Sequence, residues 1–106
     1  MSVIMTLRAR GNPAELERRA AENPDAMRSI ADRAKEHGLI AHRFYGTDDG
    51  QIMVVDEWPD EQSFQSFFDA NGEKIGAMMQ AAGVTSEPQP RFWRKLESHD
   101  EYGWGA

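Results

Sequence analysis

The chain has no cysteine, which excludes disulfide bridges, thiolate metal ligands and a cysteine nucleophile. No apolar run approaches the roughly 20 residues a helix needs to cross a bilayer. The segment from Val3 lacks the basic region, apolar stretch and cleavage pattern of a secretory signal. Positive charge is scarce: 12 Lys and Arg stand against 18 Asp and Glu, a formal net charge of −6. That balance argues against nucleic acid and anionic membranes as partners, because both require a basic patch and the arginines here are scattered. The three histidines, His37, His42 and His99, lack the shared-face spacing and companion carboxylates of a metal site. Asp48-Asp49-Gly50 is too short for a calcium loop. Glycine-rich phosphate loops, dinucleotide fingerprints and nucleophile elbows are also missing. The expectation is a cytoplasmic protein with no metal, no nucleic-acid partner and no membrane attachment.

What is present fits a single domain, since 106 residues, 40% of them hydrophobic, suffice for one core and not two. Val3 to Ala9 is apolar and β-branched and reads as a strand, with Val3, Met5 and Leu7 on one face. Asn12-Pro13 followed by Glu15 is a helix start, and Asn23-Pro24 repeats it, so the helical stretch from Pro13 to His37 should be broken or kinked near Asn23. Gly38 supplies its stop. Leu39 to Gly46 forms a second strand, Asp48-Asp49-Gly50 a hairpin turn, and Gln51 to Trp58 a third strand. Pro59 and Asp60 start a helix on which Phe64, Phe67, Phe68, Asn71, Ile75, Met78, Met79 and Ala82 share one face. After Gly83, Gln89 to Leu96 reads as a fourth strand and is followed by a polar tail with Tyr102 and Trp104.

Strand, helix, strand, strand, helix, strand is the ferredoxin-like α+β plan, βαββαβ, an antiparallel four-stranded sheet with both helices on one face. The expected domain covers residues 1–97, with a tail at 98–106. The third strand is apolar on both sides, with Met53 and Val55 on one and Ile52 and Val54 on the other. A bare apolar sheet face is more than a soluble monomer tolerates. A two-fold homodimer with sheets face to face would cover it, giving a dimeric α+β barrel with a pocket between sheet and helix in each subunit.

The run Val54-Val55-Asp56-Glu57-Trp58-Pro59-Asp60-Glu61-Gln62-Ser63-Phe64 resembles the antibiotic biosynthesis monooxygenase (ABM) superfamily of dimeric α+β-barrel proteins. There an acidic residue, a Trp, a polar helix start and an aromatic follow one another at the end of the third strand, and the likeness extends from Val3 to Leu96. It implies the fold, the homodimer and a small apolar or aromatic ligand. It also implies, as one activity, cofactor-independent monooxygenation, in which the substrate anion itself reduces oxygen. The family's pocket Trp matches Trp58. Its polar pocket positions fall near Tyr45, Val54, Phe64 and Met78, where this chain is mostly apolar. Haem-degrading relatives carry an axial histidine on the second helix, and this chain has none between His42 and His99.

The residues themselves leave alternatives open. Trp58 is either a core aromatic or a stacking surface for a flat substrate. Arg43 and Tyr45 share a face of the second strand, as Asp56 and Trp58 do of the third. Facing one barrel interior, they would form an Arg43–Asp56 bridge, or else leave Tyr45 or Asp56 to orient a substrate hydroxyl or take its proton. His42 reads as a core or rim residue. Phe64 and Phe68 belong to the helix stripe and are candidates for a pocket wall. The candidate ligand-binding set is therefore Arg43, Tyr45, Asp56, Trp58, Phe64 and Phe68, with no catalytic residue assigned. The competing reading is a non-catalytic dimer whose interior is filled by its own Phe and Met side chains.

Overall fold

Each helix begins where the sequence supplies a side chain able to cap it. In the computed structural model, which describes residues 1–104, strand β1 (Val3–Arg10) leads to α1 (Pro13–Glu22), whose Asn12 side chain accepts from the Glu15 N–H at 3.1 Å. The break expected near Asn23 is complete. Asn23 closes α1 through its own N–H to the Arg19 carbonyl, and its side chain caps α2 (Pro24–Glu36) at the Ala26 N–H. One residue ends one helix and starts the next, and the following prolines lose no helix bond at these first positions. At the end of α2, Gly38 takes φ +101°, and a side chain there would press against Pro59 Cγ at 3.2 Å. Glycine thus sets both the chain reversal and its close approach to the start of the last helix.

Strands β2 (Ala41–Gly46) and β3 (Gln51–Trp58) form the hairpin, α3 (Glu61–Ala81) follows, and β4 (Gln89–Arg94) completes the sheet in the order β2-β3-β1-β4. Every neighbouring pair is antiparallel, so the chain has the expected ferredoxin-like α+β fold. Two ends are shorter than expected. Leu39 and Ile40 precede β2, and Lys95 and Leu96 lie beyond β4. Of the tail expected at 98–106, Gly105 and Ala106 lie outside the described residues; Tyr102 and Trp104 are almost wholly exposed.

The register assigns each side chain to a face. Met5 pairs with Asp56 and Phe92, Leu7 with Val54, and His42 with Asp56, so these residues share the face covered by the helices. There Met5, Leu7, Val54, Trp58, Phe64, Phe67, Ile75 and Met79 form the core with Ala34. Each large member contributes about 1.5–3 kcal/mol through burial. The opposite face presents Ile4, Thr6, Arg43, Tyr45, Met53, Val55 and Trp93, with Tyr45 and Trp93 about half exposed.

Asp60 accepts from both the backbone N–H and the hydroxyl of Ser63 at 2.8 Å, which holds its carboxyl below the ordinary aspartate value. A carboxylate depressed in the folded state adds stability that is fully present above the unfolded value and is lost as pH falls through the folded one. Asp60→Ala should therefore lower Tm by a few degrees at neutral pH. The difference from the parent should shrink as the pH is taken well below the ordinary aspartate value; a gap independent of pH would mean the carboxylate is not the cap.

Candidate functional site

Between the sheet and helices α2 and α3 lies a cavity of about 630 Å3 that opens to solvent. Its floor is Met5, Leu7, His42, Phe44, Val54 and Asp56 from the sheet, and its α3 wall is Phe64, Phe67, Phe68, Ile75, Met78 and Met79. Its α2 wall includes Met27, Arg28, Ile30, Ala31, Ala34 and Lys35, with the two alanines as its smallest side chains. This volume falls within the range of roughly 300–1,000 Å3 typical of small-molecule sites.

Its principal polar feature is a chain of three side chains. The Trp58 indole N–H donates to Asp56 Oδ2 at 3.1 Å, and Asp56 Oδ1 meets His42 Nδ1 at 2.7 Å. Asp56 is 7% exposed at its side chain and His42 32%, so the carboxylate is buried while the imidazole reaches the opening. An ionised carboxylate can only accept, so a neutral imidazole paired with one carries its hydrogen on Nδ1 and presents Nε2 as an acceptor. His42 also stands edge-on to Phe44, with ring centroids 5.2 Å apart. The arrangement is that of a general base oriented by a buried carboxylate.

The structure distributes the candidate residues unevenly. Asp56, Phe64 and Phe68 line the cavity. Arg43 borders it, but its guanidinium donates to the Tyr45 hydroxyl at 3.3 Å on the other face of the sheet. Tyr45 does not reach the cavity. Trp58 is fully buried behind Asp56, tilted on Phe67 with centroids 5.6 Å apart and edge-on to Phe64 at 5.8 Å. It is a support for the carboxylate and not a stacking surface, which corrects one reading of it. The shared interior of Arg43, Tyr45, Asp56 and Trp58 is likewise corrected. Arg43 lies opposite Val55 and Tyr45 opposite Met53, one residue out of phase with Asp56, so no Arg43–Asp56 bridge forms. The residue that does meet Asp56 is His42, which the sequence reading left as a core or rim residue. The turn carried the signal. A three-residue loop at Asp48-Asp49-Gly50 sets Thr47 opposite Gln51, and counting back places His42 against Asp56.

No family model and no curated protein matches the sequence. Solved structures do share its fold. SnoaB, a cofactor-independent oxygenase from Streptomyces nogalater, is 18% identical over 94% of this chain and 98% of its own, with a TM-score of 0.63. The ActVA-Orf6 monooxygenase of Streptomyces coelicolor, solved with nanaomycin D, is 15% identical over 95% of this chain and 92% of its own, at 0.64. A dimeric ferredoxin-like protein from an uncultured marine organism is 13% identical over 95% and 93%, also at 0.64. At these identities the likeness is one of fold, and the structural neighbours are ABM-like proteins.

Trp58→Phe removes the indole N–H together with part of a fully buried ring, so the bond is isolated by a double-mutant cycle with Asp56. Trp58→Phe should cost about 1–3 kcal/mol in urea unfolding, because Asp56 Oδ2 is left buried without its donor. Asp56→Asn in the same background should recover part of that loss. Additive costs for the two changes would show that the bond does not couple them.

Proposed function

We propose that this chain is a homodimeric, cofactor-independent monooxygenase of ABM type, acting on a small aromatic carbon acid such as an anthrone or a dihydroxynaphthalene. The observation that carries the reading is the His42–Asp56 pair at the floor of a largely apolar cavity. The open volume beside α2 weighs against an interior filled by Phe and Met side chains. The oxygenases among the fold neighbours add support of a general kind.

In this mechanism Nε2 of His42 accepts the proton of the activated C–H, and Asp56 stabilises the imidazolium that results. The substrate carbanion gives one electron to dioxygen, and the radical pair combines to form the C–O bond of a peroxide. The O–O bond then breaks as the second hydrogen leaves the same carbon, and the proton held on His42 completes a water molecule. One CH2 and one O2 become one C=O and one H2O, so the substrate supplies all four electrons. The protein contributes a base, an apolar enclosure that favours electron transfer to a neutral gas, and orientation.

The uncovered sheet face supports the homodimer. Ile4, Tyr45 and Trp93 remain 37%, 48% and 46% exposed on it, and apposing two such faces removes them from water. The dimeric ferredoxin-like neighbour supports this arrangement. Light scattering at micromolar concentration should give about twice the chain mass of 12.0 kDa, and Val55→Glu should shift the material toward the single-chain mass. A single-chain mass for the parent removes the dimer from the proposal.

Oxygen uptake with 1,4-dihydroxynaphthalene or anthrone tests the chemistry. His42→Gln should lower kcat by roughly 100-fold or more with little change in KM, the range expected for loss of a general base. Asp56→Asn, which keeps the shape but not the charge, should fall between that variant and the parent. Unchanged turnover in His42→Gln would rule out His42 as the base.

A further inference from the structure

The charges around the cavity run against those of the chain. The molecule carries a net charge of −6, yet the ionisable residues lining the cavity are Arg28, Lys35, Arg43, His42 and Asp56. Asp56 is the single carboxylate among them, and both its oxygens are already engaged by Trp58 and His42. Arg43 is turned toward Tyr45. Arg28 and Lys35 remain. They lie on α2 seven residues apart, two turns along one side of the helix and roughly 10 Å apart at the backbone. With Pro24 and Ala31 they form a stripe beside the cavity, flanking the apolar Met27, Ile30 and Ala34 row. Asp25 and Asp32 stand at helical spacings from Arg28 that allow pairing. Among the described residues, however, neither they nor any other carboxylate makes an ion pair with Arg28 or Lys35.

Two unpaired cations at the mouth of an apolar cavity, in an acidic protein, form an anion subsite. Resting on the proposed substrate-binding role of this cavity, we infer that the ligand carries a carboxylate, held at the α2 rim by Arg28 and Lys35 while its ionisable ring lies toward His42. A planar carboxylate suits the guanidinium fork of Arg28, and the flexible ammonium of Lys35 adds a second charge-assisted contact. Because both groups are exposed, their attraction is screened by salt, whereas the apolar contacts of the ring are not. Charge at the mouth also draws an anionic aromatic toward a molecule whose overall field repels it.

The test compares two probes of one shape: 6-hydroxy-2-naphthoate and its methyl ester, in which the charge is capped. Titrations followed by tryptophan or ligand fluorescence at 50 mM salt should show the acid binding at least 10-fold more tightly than the ester. At 500 mM salt the preference should shrink several-fold. In the double variant Arg28→Gln, Lys35→Gln, the two probes should bind within a factor of about two of each other. Ester binding equal to acid binding in the parent, or a preference that survives the double variant, overturns the anion subsite and leaves the cavity reading standing. Binding of neither probe overturns both.

Discussion

A carboxylate placed between a sheet and its covering helices loses most of its water, and it stays ionised there only if hydrogen bonds replace that hydration. Asp56 occupies such a position in the helix-facing row of β3, next to its last member Trp58, and its two oxygens are held by donors of different kinds. One is the indole N–H of Trp58, two residues along the same strand and so on the same face. The other is the imidazole of His42, directly across the hairpin. These donors fix different things. Trp58 is locked between Phe64 and Phe67, so the aromatic core of α3 sets the orientation of the carboxylate. The carboxylate in turn sets the tautomer and position of His42 at the opening. The packing of the last long helix thus reaches the one polar group able to meet a ligand at this floor.

The same alternation that gathers this chain of side chains also divides the molecule chemically. On the helix-facing side the β3 residues Ile52, Val54, Asp56 and Trp58 are buried; on the other, Gln51, Met53, Val55 and Glu57 are only partly so. The helices of one chain cover this central strand on one side only. The arginines and aromatics of the open face temper this without removing it. Arg91 lies over the Trp93 ring with its guanidinium carbon 4.8 Å from the centroid, and the Trp93 N–H donates to Thr6 at 2.9 Å. Both contacts hold the one large Trp93 ring to its neighbours on β1 and β4.

The fold was legible because its punctuation is local. Asn-Pro pairs, an Asp-Asp-Gly turn and a Gly stop act within a few residues, and each formed close to its expected place. The site was only half legible, for a reason that is also local. Pairing Arg43 with Asp56 was chemically attractive, since opposite charges on facing strands commonly meet. Register overrides that attraction, because a shift of one residue exchanges the two faces of a strand. The three-residue loop fixed the register, and His42, a lone histidine in an apolar setting, gave no sign of its partner until the count was made from the turn. Phe64 and Phe68 were legible as cavity wall because an aromatic stripe at helical spacing must face the sheet, whatever its register.

That the cavity exists at all follows from how the helices share the work of covering the sheet. α3 buries Phe64, Phe67, Asn71, Ile75 and Met79, α2 buries only Ala34, and α1 buries nothing. A helix pair of this kind cannot close over the β2 half of the sheet, because alanines hold α2 near without filling the space below it. Well-packed interiors avoid such hollows, which cost roughly 24 cal/mol for each Å3 left empty in an otherwise dry core. The same space is tolerable when it opens to water and is lined at one end by a hydrogen-bonding group, because solvent then occupies it at little cost. His42 is therefore more than a reactive group at the edge of a void: as a wettable residue held rigidly by Asp56, it helps make an open interior compatible with a stable fold.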